Sequence, residues 1–250
     1  MKSLDSLAVV MPAWNEEAGI ADFLLELRKS LGLSEILFIV VDDASTDNSI
    51  EKLQSLESSG FPLRIYRNSV NLGHGPSTLK ALKLGLSENS KYIISIDGDG
   101  QFLGEDVKRV FRLIQEGNCS IVEGIRISRG DPFYRKLVTL FTRALVFSKS
   151  FQIPRDANTP LRAYTRESLA ILLQSVNDQS SIPNLMFSAK SRRLKMSIAQ
   201  TDVKSIPRRG GDEIGSTWGQ GFKFLPTKRF LLFCLKALRQ WLVFDVRQIK

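Results

Sequence analysis

One histidine and two cysteines are all that 250 residues offer of the side chains that build soft-metal sites and nucleophile–base pairs. G-x-x-x-x-G-K-[ST], G-x-S-x-G, H-E-x-x-H and paired C-x-x-C are absent, so P-loop, α/β-hydrolase, zincin and zinc-ribbon chemistry are not supported. A Ser-His-Asp triad would rest entirely on His74 and is poorly supported. Cys119 and Cys234 lie far apart in a long chain, which suits free thiols in a reducing compartment. No run approaches the roughly eighteen uncharged apolar residues of a transmembrane helix. The segment Met1-Lys2-Ser3-Leu4-Asp5 lacks the apolar core of a signal peptide. There is no internal repeat and no low-complexity tract.

What is present is ordinary globular composition, 43% hydrophobic and 24% charged, enough for one α/β domain with extensions. The net charge of +9 is unevenly placed. Residues 1–120 hold 12 Lys/Arg against 17 Asp/Glu, whereas residues 121–250 hold 23 against 9. Either the second half meets something anionic (phosphate, nucleic acid or a membrane surface) or it is a basic solvated surface.

Short apolar runs alternate with amphipathic stretches. Leu7 to Met11 and Ile36 to Val41 are continuous apolar runs, as expected of strands buried on both faces. Between them, Ile20, Phe23, Leu24, Leu27 and Leu31 recur at helical spacing from about residue 17 to 31. A second helix starts at Asp47, with Ile50, Leu53 and Leu56 on one face. Leu63–Tyr66 is a third strand, residues from about 76 to 87 a third helix, and Tyr92 to Ile96 a fourth strand. This order predicts a mostly parallel sheet with helices on both sides, and ligands at the carboxyl ends of its strands.

Each strand is followed by polar residues. Pro12-Ala13-Trp14-Asn15-Glu16-Glu17 reads either as a ligand loop or as a helix cap, with Asn15 at the N-cap. In Asp42-Asp43-Ala44-Ser45-Thr46-Asp47, Asp43 can bond a base or ribose while a neighbour caps the next helix. Asn71-Leu72-Gly73-His74-Gly75-Pro76 supplies permissive glycines and a proline suited to a helix start. His74 reads as a loop histidine making ordinary hydrogen bonds rather than a catalytic base. Asp97-Gly98-Asp99-Gly100-Gln101-Phe102 is the most informative segment. Extended backbone would put Asp97, Asp99 and Gln101 on one face, a set of hard oxygen donors suited to magnesium or manganese beside substrate phosphates. The glycines leave room for a diphosphate, and the twelfth-position Glu of a calcium loop is missing.

In order and spacing, PAWNEE (12–17), VVDDASTD (40–47), NLGHGPS (71–77) and DGDGQF (97–102) resemble the inverting glycosyltransferases of family 2, with the GT-A fold. Within that family the chain looks like the dolichyl-phosphate mannose synthase and polyprenyl-phosphate glycosyltransferase branch, in which D-x-D-x-Q replaces D-x-D. The resemblance spans roughly residues 7–215. It implies that Pro12, Trp14 (often Tyr in the family), Glu16, Asp43 and Asp97 surround the nucleotide. It also implies that Asp97, Asp99 and Gln101 hold Mg2+ or Mn2+ on the donor diphosphate. Gly124–Asp131, bearing Arg126 and Arg129, resembles the arginine-bearing stretch after the fifth strand. Asp156–Arg162 resembles the acceptor loop, and Pro207–Gly211, with Arg208, a basic loop that closes over phosphates.

The resemblance implies a GT-A catalytic domain over residues 1–225, its donor half 1–120 and its acceptor half 121–225. A basic amphipathic helix over 226–250 would extend it. The expected reaction moves a sugar from a GDP- or UDP-sugar to a polyprenyl or dolichyl phosphate. Such an ionised acceptor needs positioning by Arg126, Arg129 and Arg208 but no strong base; a hydroxyl acceptor in lipopolysaccharide, capsule or another glycan would need one, and Asp156 is the candidate. The apolar and basic residues of 132–151 and 227–247 fit either a membrane interface or packing on protein. A peripheral enzyme at the cytoplasmic membrane face, held by lipid, an anchoring partner or a second copy, is expected. Nucleic-acid binding by a non-catalytic anion-binding module is disfavoured, because the basic residues interleave with core-like apolar ones.

Overall fold

The computed structural model describes residues 6–127, 133–209 and 228–247. Its elements, in chain order, are β1 (Leu7–Ala13), α1 (Ile20–Leu31), β2 (Ile36–Asp42), α2 (Ser49–Ser58), β3 (Leu63–Arg67), α3 (His74–Ser87), β4 (Tyr92–Ser95) and α4 (Gly104–Gln115). There follow β5 (Ile121–Ile127), α5 (Phe133–Ser150), β6 (Arg162–Thr165), α6 (Arg166–Gln174), α7 (Pro183–Arg193), β7 (Ile198–Lys204) and α8 (Lys228–Val243). Among the described residues no helix is long and apolar enough to cross a membrane, and Cys119 and Cys234 are free thiols.

The unbroken apolar runs build two cores from one strand each. Side chains alternate across a sheet, so Leu7, Val9 and Met11 pack on one face with α1 and α4. Ala8 and Val10 pack on the other face with residues of α3, α6 and α7. Phe38 and Val40 divide from Ile39 and Val41 in the same way. Full burial of each such side chain contributes about 1.5–3 kcal/mol, so both layers are needed to hold the central strands.

The seven-stranded sheet has the order β3-β2-β1-β4-β6-β5-β7. The expected parallel pairing holds for β1 with β2 and β4, for β2 with β3, and for β5 with β7. The sheet is nonetheless mixed, because β6 runs antiparallel to both β4 and β5. That reversal follows from chain path: β6 is entered from residues 151–161, at the end where the parallel strands finish, so it must run back. Its first residue, Arg162, therefore sits beside Ser95 of β4 and Glu123 of β5. Neighbours leave β1 on opposite sides, which opens a crevice at the carboxyl ends of β1 and β4.

One local expectation is corrected. Asn15 does not cap α1, which starts at Ile20 behind Gly19. Asn15 has a left-handed φ of 54°, and its side-chain oxygen accepts from Thr46 N at 2.9 Å. It ties two loops together instead.

Candidate active site at the carboxyl ends of the strands

The segment after β4 stays on the β1 ladder before turning away. Ile96 N donates to Val10 O and Gly98 N to Pro12 O, each at 3.1 Å. A Cβ on Gly98 would lie 2.9 Å from Pro12 O, so only glycine permits this approach. Residues 98 and 99 then form a turn and Gly100 takes a φ of 67°. The two acids are thus joined by a turn, not by the extended strand expected, yet they remain electrostatically close. Gln101 N donates to Asp99 Oδ1 at 3.1 Å, closing the turn.

Three other loops converge there. His74, the first residue of α3, sets its Nε2 2.8 Å from Asp97 Oδ1. Asp43 spends both oxygens on the loop before α3: Oδ1 accepts from Leu72 N and Asn68 Nδ2, and Oδ2 from Gly73 N, each at 2.8 Å. Glu16 meets Arg208 in a two-armed ion pair, with Arg208 Nε 3.0 Å from Oε2 and Nη2 on Oε1. Arg208 also reaches the carbonyls of Trp14 and Asn15, at 3.4 and 3.3 Å. The segment after β7 is strapped over the acidic turn: Ile206 N donates to Gln101 O at 3.0 Å and Arg209 N to Asp99 O at 3.2 Å. Pro12 is buried within β1 and Trp14 half-buried at the crevice rim.

This concentration of charge shifts proton affinities. Burial, then the charge of Asp97, pushes Asp99 up to about 6. Burial works against Asp97 too, but the charge and hydrogen bond of His74 outweigh it and hold Asp97 low. His74 rises in return, chiefly through the charge of Asp97. Burial raises Glu16 to about 7 despite Arg208, from an ordinary 4.5. The folded state therefore keeps a proton on Glu16 that the unfolded chain loses from about pH 4.5 upward. This group's stabilisation is full below pH 4.5 and lost as pH rises to about 7, a span worth roughly 3 kcal/mol at most. Glu16→Gln removes that dependence. Urea melts at pH 5 and pH 8 should show the variant gaining on wild type at the higher pH; parallel shifts would contradict the assignment.

The acceptor-side residues form a second cluster. Arg126 grips Asp156 with Nε on Oδ2 at 2.8 Å and Nη2 on Oδ1 at 3.0 Å, and Nη2 also reaches Asn158 O at 3.0 Å. The positive charge of Arg126 is felt at Asp97, which links the two clusters. Thr159 Oγ1 donates to Gly124 O at 2.5 Å, pinning the loop to β5. Beneath lies a buried ion cluster. Glu123 receives Arg192 on both oxygens, at 3.0 and 2.6 Å, and Gln200 Nε2 at 3.0 Å, with Arg162 Nη2 3.7 Å away. Arg162 also donates to Ala157 O at 3.2 Å, so this cluster supports the Asp156 loop.

Of the residues expected from the sequence, Pro12, Trp14, Glu16, Asp97, Asp99, Gln101 and Arg208 come together at the crevice. Arg126 and Asp156 are paired beside it, and Asp43 stands one step behind, bracing the loop that carries His74. Arg129 lies outside the described residues. The sequence reading passed over the pairing of His74 with Asp97 and the buried roles of Glu123 and Arg192. For His74 a signal existed, its place in a glycine-flanked loop at a strand end; for Arg192, in a basic helix end, there was none.

Comparison with known proteins shows the family. Residues 8–180 match the family described as Glycosyl transferase family 2. An uncharacterized protein of Methanocaldococcus jannaschii is 30% identical over 171 residues, covering 65% of this chain and 73% of the relative. The chain belongs to glycosyl transferase family 2 and is an enzyme of sugar transfer.

Within the family it is similar to the polyprenyl- and dolichyl-phosphate branch. The undecaprenyl-phosphate 4-deoxy-4-formamido-L-arabinose transferase of Proteus mirabilis is 25% identical over 80% of this chain, which spans 61% of that protein's length. The UDP-N-acetylglucosamine–dolichyl-phosphate N-acetylglucosaminyltransferase of Methanococcus voltae is 23% identical, over 79% of this chain and 84% of the relative. Among solved structures, the mannosyltransferase PcManGT of Pyrobaculum calidifontis, in complex with GDP-Man and Mn2+, shares the fold with a TM-score of 0.61 at 15% identity. It aligns with 100% of this chain and 66% of its own.

Proposed function

We propose that this enzyme moves a sugar from a GDP- or UDP-sugar to a polyprenyl or dolichyl phosphate, with inversion and with a divalent metal, at the cytoplasmic face of a membrane. The observation that carries the reading is the gathering at one end of the sheet of the acidic turn Asp97–Asp99 with the arginine-bearing segment strapped over it, Ile206 N on Gln101 O and Arg209 N on Asp99 O, and with the Arg126–Asp156 pair beside it.

The residues present fit Mg2+ or Mn2+. Among the described residues no three His, Cys, Asp or Glu side chains converge as a metal site. These ions, however, typically take one or two carboxylates and fill the remaining positions from substrate phosphates and water. The raised Asp99 fits as well, since two crowded carboxylates gain from a cation between them. Asp97, Asp99 and Gln101 would hold the ion, which when bound neutralises charge on the departing diphosphate.

The chain's own residues supply the rest. Pro12, Trp14 and Glu16 border the nucleoside's place at the end of β1, and Asp43, at the end of β2, braces the loop behind it. Arg208 is stored on Glu16 and is available to a phosphate once that pair opens. An oxygen of the acceptor phosphate bonds to the anomeric carbon from the face opposite the diphosphate. The bond from that carbon to the diphosphate breaks, and the nucleoside diphosphate leaves with the electron pair. Arg126 and Arg129 position the acceptor, and no proton need be removed. If the acceptor is a hydroxyl, its proton passes to Asp156, which is already engaged by Arg126 on both oxygens.

A membrane setting is supported by the surfaces of α5 and α8. Leu137, Leu140 and Phe141 of α5 are exposed, as are Leu232, Leu235 and Leu242 of α8. Such residues beside basic ones suit a lipid interface. The far end of α8 is committed elsewhere, since Trp241, Phe244 and Val246 are buried in the core. Lys190, itself buried, donates to Val246 O at 3.0 Å. Deleting the helix would therefore damage the fold. The informative variant replaces Leu232, Leu235 and Leu242 with serine; it should lose flotation with anionic liposomes while keeping its melting temperature. Unchanged flotation would leave α8 without a membrane role.

The deciding assay offers labelled UDP- and GDP-sugars with Mn2+ or Mg2+, with and without polyprenyl phosphate in detergent. Metal-dependent label in the lipid fraction is expected. Donor hydrolysis without lipid product would move the acceptor to a hydroxyl. Neither signal from folded protein would overturn the reading.

A further inference from the structure

His74 is held in place more firmly than a surface histidine requires. The two residues before it donate their N–H groups to Asp43, at 2.8 Å each, and Gly73 takes a φ of 89° to make the turn. The residue after it, Gly75, is pressed against the backbone of Ser180 and Ser181 so closely that a Cβ would collide with both. The first turn of α3 is thereby fixed on both sides of the imidazole. His74 itself stays half-exposed, and its Nε2 meets Asp97 Oδ1 at 2.8 Å.

We propose that His74 is the positioning residue for Asp97: it takes Oδ1, fixes the carboxylate's orientation and leaves Oδ2 for the divalent cation that accompanies the nucleoside diphosphate. The inference rests on the reading of Asp97 as a metal ligand. Ligating carboxylates are themselves usually hydrogen-bonded, and losing such a partner typically costs about 10–100-fold in metal affinity. The three features that make the contact, the Asp43 clamp, the Gly75 contact and the end of β4, come from three separate elements. An incidental loop hydrogen bond would not need them.

The test is Mn2+ binding to the full chain with saturating GDP or UDP, followed through the electron paramagnetic resonance signal of free Mn2+. His74→Ala should weaken Mn2+ binding about 10–100-fold. His74→Gln, whose amide can donate from nearly the same place, should recover most of the loss. His74→Leu, similar in bulk and unable to donate, stands in should the alanine variant fail to fold. Asp97→Asn separates the two readings. If it abolishes Mn2+ binding while His74→Ala and His74→Leu do not weaken it, the positioning role is wrong and the metal site stands. Tighter binding in His74→Ala also overturns the inference, because the imidazole would then be a competitor for Asp97. If wild type binds no Mn2+ with either nucleotide, or Asp97→Asn binds as wild type does, the metal reading fails and this inference with it.

Discussion

Asp99→Ala should reduce metal-dependent sugar transfer by on the order of 10³-fold or more, while the protein melts at or slightly above the wild-type temperature. The loss follows from charge stabilisation of the leaving diphosphate, several kcal/mol where a cation is held correctly. The retained stability follows from the fold. Asp99 is pushed up to about 6 by burial and by Asp97, so near neutral pH its ionised form is held against a cost. Removing it relieves that repulsion and removes one hydrogen bond, from Gln101 N. Transfer assays with and without Mn2+, beside a thermal melt, check both halves. Full activity in this variant would sink the metal assignment.

The second large effect is on stability and arises below the site. Arg192→Met should destabilise the protein by about 3–5 kcal/mol, the usual consequence of stranding a buried charge. In a chain of this size that lowers the melting temperature by roughly 10 °C. Glu123 is fully buried, and Arg192 reaches both of its oxygens, the shorter contact at 2.6 Å. Pairing the change with Glu123→Leu should not restore stability, because Arg162, also buried, would then lose its own counter-charge. Only the triple change, with Arg162→Met, replaces the cluster by apolar packing. Urea unfolding of the single, double and triple variants gives the order directly. A mild single effect, below about 1 kcal/mol, would mean that water or a rearranged Gln200 satisfies Glu123.

The periodicities of the first hundred residues carried β1 to β4 and the helices between them into view. Leu7 to Met11 and Ile36 to Val41 read as strands buried on both faces, which puts the polar residues after them at one end of a parallel sheet. The antiparallel course of β6 was hidden because Arg162–Thr165 is four residues long, two of them polar, and its direction depends on where residues 151–161 deliver the chain. Asp97 and Asp99 stood out by residue type and place, but the turn at 98–99 came with Gly100's positive φ, which sequence spacing does not reveal. Partnerships were the least legible level. Nothing local in Glu16 or Arg208 announces that residues separated by 192 positions will meet in a two-armed contact. The same holds for Glu123 and Arg192, which reads as one more basic residue at a helix end.

The burial of Trp241, Phe244 and Val246 sets a schedule for chain growth. The β1–β4 layer and the helix face lined by α1 and α4 can close as soon as their own residues have been synthesised. The opposite face, where Leu169, Leu172 and Phe187 pack, receives its last three apolar plugs some fifty residues after α7 is complete. A nascent chain halted between residue 209 and those plugs presents a crevice already strapped by Ile206 and Arg209 on a half-sealed body. Newly made chains should therefore occupy chaperones longest at this late stage, after the loops of the crevice are already in place.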